Sequence, residues 1–295
     1  MSKTGGGPGT NQYGIKGVGK SPQSSLPRAS VDDLELSNAL SRNDYESEVF
    51  AVRSPGLDAS ALALAVKDIH PRSVERGLAR FKARLSELVW NDSTLEGRNF
   101  TLPEVSTLLD GGAVKGHSEF DIDQLLDLSQ AADIVVFSAG SGEQNVSDQL
   151  SSSLNAAITE HEIIEPGVLR GEGNVGGEGV VGVQEVAFVA FPTITGGEEL
   201  RSIFNESMER ANALDHPVAR GCAWAGFGAY HQFYSNGNKR TSRYVMNTVL
   251  LSHGYDSIVT PASLKPQYNA ALRKMFLSGD VTEYALFLAS LYNDD

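Results

Sequence analysis

The residues of this 295-residue chain best suited to chemistry lie in the run Q-F-Y-S-N-G-N-K-R-T-S-R, from Gln232 to Arg243. The run falls between a helical pattern that ends near Phe233 and another that begins near Lys239. A helix start presents amide N–H groups without intrahelical partners, together with the positive end of the helix dipole. Gly237 lets the backbone approach an anion, and Arg240 and Arg243 share one helical face. Two guanidiniums three residues apart can fork onto successive phosphate oxygens, which suits a di- or triphosphate better than a lone sulfate. A polar turn with surface arginines has the same composition.

The flanking sequence must hold this segment in place. Over residues 74–90, Val74, Leu78, Phe81, Leu85, Leu88 and Val89 recur at three- and four-residue steps and predict one buried helical face, with Gly97 as its stop. Thr101, Pro103 and Glu104 form the signature of a capped helix running to Gly111 and Gly112. Residues 121–137 repeat the helical pattern. Between Gly167 and Pro192, glycines punctuate β-branched residues and predict one or two short strands. Helical periodicity returns over 198–214, 218–233, 244–251, 267–277 and 281–292, with Asp215, His216 and Pro217 as a helix start. The expected fold is mainly α, a helical bundle with a short β-hairpin. Residues 1–45 read as a flexible tail, because runs such as GGGPG and GKSPQSS bury too little to offset chain entropy, and 46–295 form one domain.

Composition narrows the class. With 41% hydrophobic residues the chain can bury a full core. A formal net charge of -13 argues against nucleic acid or an anionic membrane as the main partner, so any phosphate site is local. A single cysteine, Cys222, makes neither an internal disulfide nor a thiolate metal site, and points to a reducing compartment. No run approaches a membrane span or a signal peptide, and a cytoplasmic location is expected. His70, His117, His161 and His253 show no metal-ligand spacing.

The 232–243 run resembles the signature of the Fic/Doc (Fido) family, His-Pro-Phe-x-Asp/Glu-Gly-Asn-Gly/Lys-Arg-x-x-Arg. Gly237, Asn238, Lys239, Arg240 and Arg243 match in order and spacing, and Lys239 is similar to the Doc-like branch. The resemblance covers about residues 75–290. It implies a Fic-type bundle in which Asn238 and the surrounding amides, from Asn236 onward, form an anion hole and the arginines hold the outer phosphates of ATP. It further implies transfer of AMP to a protein hydroxyl, with the target chain aligned by strand pairing on a flap hairpin over residues 168–191. A second stretch, D-S-T-L-E-G at 92–97, resembles the family's inhibitory motif, Ser/Thr-x-x-x-Glu-Gly/Asn. Glu96 and Gly97 match and Asp92 replaces the Ser/Thr. The implied role of Glu96 is to pair with Arg243 and block the γ-phosphate.

Two departures concern the chemistry. Gln232 occupies the position of the catalytic histidine, and an amide has no basic nitrogen with which to take a proton from a target hydroxyl. Asn236 occupies the position of the magnesium-binding acid, so metal binding there is expected to be weak. An alternative register with one inserted residue makes His231 the base, although a residue one step back on a helix points about 100 degrees away. The expectation is an ATP-binding, autoinhibited protein adenylyltransferase with a degenerate motif (AMPylation), or a catalytically silent module that binds nucleotide or a partner protein.

Overall fold

Short polar residues start several of the helices: Asp58, Ser73, Thr101, Ser118 and Ser147 each accept a first-turn amide through the side chain. At Thr101 the capping box is complete, because Glu104 reaches back to the Thr101 amide. The computed structural model describes residues 46–174, 179–183, 186–193 and 196–292. The expected tail over 1–45 and the flap residues 175–178 and 184–185 lie outside the described residues. In chain order the elements are β1 (Ser47–Phe50), α1 (Ala59–Val66), α2 (Val74–Ala83), α3 (Leu85–Leu95), α4 (Leu102–Leu109), α5 (Glu119–Gly140), α6 (Asp148–Ile158), β2 (Val180–Val183), β3 (Val186–Val189), α7 (Glu198–Asn212), α8 (Pro217–His231), α9 (Asn238–Ser252), α10 (Lys265–Ser278) and α11 (Thr282–Ser290). The fold is mainly helical, as expected, with one small sheet.

Helix α9 runs through the middle. It packs against α8, α5 and α6, while α8 also meets α7 and α11. Every residue of α9 except Lys239 is buried. The amphipathic helix expected over 244–251 is therefore longer and enclosed on all sides, and its polar side chains find partners inside: Asn247 exchanges hydrogen bonds with the Ile258 backbone, and Thr248 donates to the Tyr244 carbonyl. Burial of Trp224, Phe227, Tyr244, Val245 and Met246 between these helices forms the centre of the core.

The single helix expected over 74–90 is two. At Arg84 (φ -107, ψ 15) the amide is shared between the Arg80 and Phe81 carbonyls, and α3 then runs on to Leu95. Apolar spacing reports which side chains turn inward and is blind to a bifurcated step in the hydrogen-bond ladder. The extra turns of α3 carry Asp92 and bring Glu96 to the helix end.

The Gly-rich stretch supplies two short strands, as expected. β2 pairs antiparallel with β3, and β1, a strand not foreseen, pairs parallel with β3 on its other side, giving the order β1-β3-β2. Among the described residues no helix is long and apolar enough to cross a membrane.

Candidate functional site

The 232–237 loop is held by the side chains of Asn238 and Asn155. Asn238 accepts from the Tyr234 amide (2.8 Å) and donates to the Tyr234 carbonyl (2.7 Å) and to Gln232 Oε1 (3.1 Å). Asn155, on α6, donates to the Asn236 carbonyl and to Thr241 Oγ1, and accepts from the Gly167 amide. Gly237 has φ 74, and a Cβ there would lie 2.5 Å from Thr159 Cγ2, so glycine is required by the backbone and by the wall behind it. No side chain caps α9. Its first-turn amides are the donors this loop offers to an anion.

Each cation of the segment faces a carboxylate. Arg243, buried, places Nε 2.9 Å and Nη2 2.8 Å from Asp92 Oδ1, and its Nη1 donates to the Tyr268 hydroxyl at 2.5 Å. Glu96 stands 3.3 Å from Lys239 Nζ through Oε2 and 3.7 Å from Arg243 Nη2 through Oε1. Glu96 Oε1 and Arg243 Nη2 are both buried and make no hydrogen bond. Arg240 meets both oxygens of Glu162, on the connection after α6, and Glu162 also accepts from Asn236 Nδ2 at 2.7 Å. Burial opposes the charge of Glu96, yet Lys239, Arg240 and Arg243 together hold its carboxyl at about 2, well below the usual range. Burial likewise opposes the charge on Arg240 and Arg243, and the facing carboxylates of Glu162 and Asp92 more than restore it, raising both guanidiniums. Beside these pairs lies a cavity of about 160 Å³ bounded by Glu96, Arg98, Asp121, Gln124, Glu162 and Arg240. That is below the roughly 300 Å³ at the lower end of small-molecule pockets.

The other end of the loop is neutral. Gln232 closes α8 in the left-handed region (φ 52), the one non-glycine residue with positive φ among the described residues. Its side chain donates to the Ala229 carbonyl (2.6 Å) and accepts from Asn238. The buried guanidinium of Arg170 bonds the Gln232 carbonyl (2.6 Å) and the Phe191 carbonyl (3.1 Å), tying the loop to the chain just after β3. A Cβ on Gly179, beside β2, would lie 3.3 Å from Gln232 Cβ, so the hairpin covers this residue. His231 turns into the core instead. Its ring is wholly buried against Tyr230 and Phe233, and both ring nitrogens are without hydrogen bonds. Burial, with Arg210, Arg170 and Arg53 adding to it, lowers its pKa to about 3. In this geometry the His231 ring meets the loop at Phe233, inside the core.

Thus the structure gathers Glu96, Lys239, Arg240 and Arg243 at one place, with Asn236 at its rim and Gln232 at the far end of the loop. Gly97 (φ 90) follows the end of α3, and a Cβ there would meet nothing within 4 Å. The Asn236 side chain is engaged, its Oδ1 accepting from the Gly237 amide (2.7 Å) and its Nδ2 donating to Glu162. Asn238 closes the loop rather than facing outward. Sequence reading missed Glu162, Arg170 and Asn155, whose bonds to the 232–243 segment span 62 to 86 residues. No periodicity reports such pairs.

Comparison with known proteins gives the fold a name. Over 82 residues, 28% of the chain, it is 37% identical to proteins described as protein adenylyltransferase Fic from Drosophila grimshawi and Drosophila mojavensis; the stretch spans 16% of each relative's length. No family model matches the chain. Among solved structures it resembles a Fic domain containing signaling protein from Bacteroides thetaiotaomicron (TM-score 0.59, 19% identity, 79% of this chain and 92% of that one). It also resembles Fic-1 from C. elegans (TM-score 0.61, 15% identity, 88% and 72%). At these identities the fold is what is shared. The chain has the helical fold of Fic-domain proteins.

Proposed function

We propose that this Fic-fold chain binds the phosphates of a nucleotide at the start of α9, in competition with Glu96. One observation carries the reading: a carboxylate with an unbonded, buried oxygen stands between Lys239 and the Nη2 of Arg243, which is ion-paired with Asp92, beside an uncapped helix start. An anion of the protein's own occupies an anion's place, and a phosphate oxygen has the charge and acceptor geometry to replace it. Because Gln232 carries no base and His231 lies in the core, the chain acts as a nucleotide-binding module. Magnesium accompanies the phosphates rather than the protein, since both polar atoms of Asn236 are engaged and no cluster of metal-ligating side chains stands among the described residues.

A second reading, AMP transfer, draws on the 37% identity to adenylyltransferases over 82 residues. In it a target hydroxyl oxygen bonds to the α-phosphorus of ATP and the bond to the departing pyrophosphate breaks. The hydroxyl proton passes to water or a phosphate oxygen, because the Gln232 amide cannot accept it. A target strand would pair with the outer edge of β2 or take the place of β1, since β3 is paired on both sides.

Incubation of the purified chain with ATP labelled at the α-phosphate, alongside calorimetry, separates the readings. Saturable binding without covalent label supports the module, and label on this chain or an added protein supports transfer. Absence of binding to wild type and to Glu96→Gly alike overturns both.

A further inference from the structure

Two of the carboxylates that face the cations of the 236–243 segment, Glu96 and Glu162, are held very differently. Glu96 has a side chain 21% exposed, makes ion contacts at 3.3 and 3.7 Å, and leaves one oxygen unbonded. Glu162 has a side chain 1% exposed and gives both oxygens to Arg240, itself 8% exposed, while accepting a third bond from Asn236. Displacing Glu96 breaks no hydrogen bond at its free oxygen and returns the carboxylate to nearby solvent. Displacing Glu162 strips a buried bidentate pair and leaves Arg240 uncompensated unless the ligand replaces every contact.

We infer that Glu162 withdraws Arg240 from phosphate binding, so that the site prefers a nucleoside mono- or diphosphate to a triphosphate. This rests on the nucleotide-binding reading above and narrows its ligand. The donors that remain are the first-turn amides of α9, which suit one phosphate, and Lys239 with Arg243 Nη2, which converge where Glu96 stands and suit a second. A third phosphate has no cation left, and it meets the fixed charges of Asp92 and Glu162.

The amide at position 236 belongs to the same device. Asn236 Nδ2 lies 2.7 Å from Glu162 Oε2 and donates to it. A carboxylate at 236 would face that oxygen as a like charge and could not donate, so the amide at 236 supports the seating of Glu162 on Arg240.

The test is calorimetric titration of the full chain with AMP, ADP and ATP in the presence of a chelator. Wild type should bind AMP or ADP at least as tightly as ATP. Glu162→Gln should tighten ATP about tenfold more than AMP, as expected when Arg240 is released to form one charge-assisted hydrogen bond with the outer phosphate, and the double variant E162Q/R240Q should lose that increase. Thermal unfolding establishes that the variants are folded. Should Glu162→Gln fail to fold, Asn236→Asp under the same conditions should shift preference toward ATP by unseating Glu162. Wild type that prefers ATP to AMP tenfold or more, or a Glu162 variant that moves all three ligands equally, overturns this inference and leaves nucleotide binding standing. Binding of no nucleotide to any folded variant overturns both.

Discussion

The C-terminal end of the 232–243 segment sets three cations, Lys239, Arg240 and Arg243, against three carboxylates, whereas its N-terminal end sets Gln232 among amides and carbonyls. The first end is a set of charges satisfied from within the protein, two pairs of them buried. The second is neutral and covered by the β2–β3 hairpin, and the nearest histidine points into the core. Phosphate recognition and proton transfer need different things: fixed positive charge for one, and an accessible base of suitable pKa for the other. On the nucleotide-binding reading proposed above, the two requirements come apart within a single loop: one half carries the cations, each against a carboxylate, and the other carries an amide where a base would be needed.

The sharpest way to break this contrast is to supply the base. Residue 232 sits in the left-handed region, which histidine tolerates better than most side chains, so Gln232→His should fold. If the base alone is missing, transfer of labelled AMP should rise about 100- to 10,000-fold over wild type. No rise, with nucleotide binding unchanged, makes the chain a binding module whose charge-binding half operates alone.

Removing a cation tests the other half. Arg243→Ala leaves Asp92 buried without its partner and should cost about 3–5 kcal/mol in urea unfolding, along with nucleotide binding. The paired change Asp92→Leu with Arg243→Met should recover stability and leave binding lost. Recovery of both would place the phosphate contacts elsewhere.

Acid separates the two ends by titration. The His231 pKa falls from 6.5 to about 3 on folding, so between those values the unfolded chain takes up a proton that the folded chain refuses. Stability should therefore decline as pH falls from about 6.5 toward 3, by about 1.4 kcal/mol per pH unit from this group, and His231→Phe should remove that component. An equal slope in wild type and variant would mean that the ring has a partner in solution.

The smallest expected effect concerns Glu96. Its carboxyl goes from 4.5 to about 2 on folding, so its contribution is present above 4.5 and disappears as pH falls through 2. Glu96→Gly should lose this component and bind nucleotides of two or three phosphates about tenfold more tightly, with a smaller increase for AMP. Equal increases for all three would place Glu96 away from the outer phosphates.

Local rules were readable without a structure. The Thr101 capping box, the start of α8 at His216 and Pro217, the pair of short strands and the spacing of Lys239, Arg240 and Arg243 all depend on residues within a few positions of one another, and side chains three or four apart on a helix must share a face. The motif and the Glu96 stretch were visible for the same reason. What each group does was decided by residues distant in the chain. Arg240 reads as a phosphate ligand until Glu162, 78 residues earlier, is found on it, and Asn238 reads as an anion contact until its bonds to Tyr234 and Gln232 are counted. His231 and Gln232 are adjacent in sequence, yet one lies in the core and the other in the loop, because α8 ends between them with a residue at positive φ. The pairing of β1 with β3 spans 139 residues and follows from no pattern within either strand. Sequence spacing determines which side chains can share a helical face, and only packing at long range determines which charges meet and which remain free to bind a ligand.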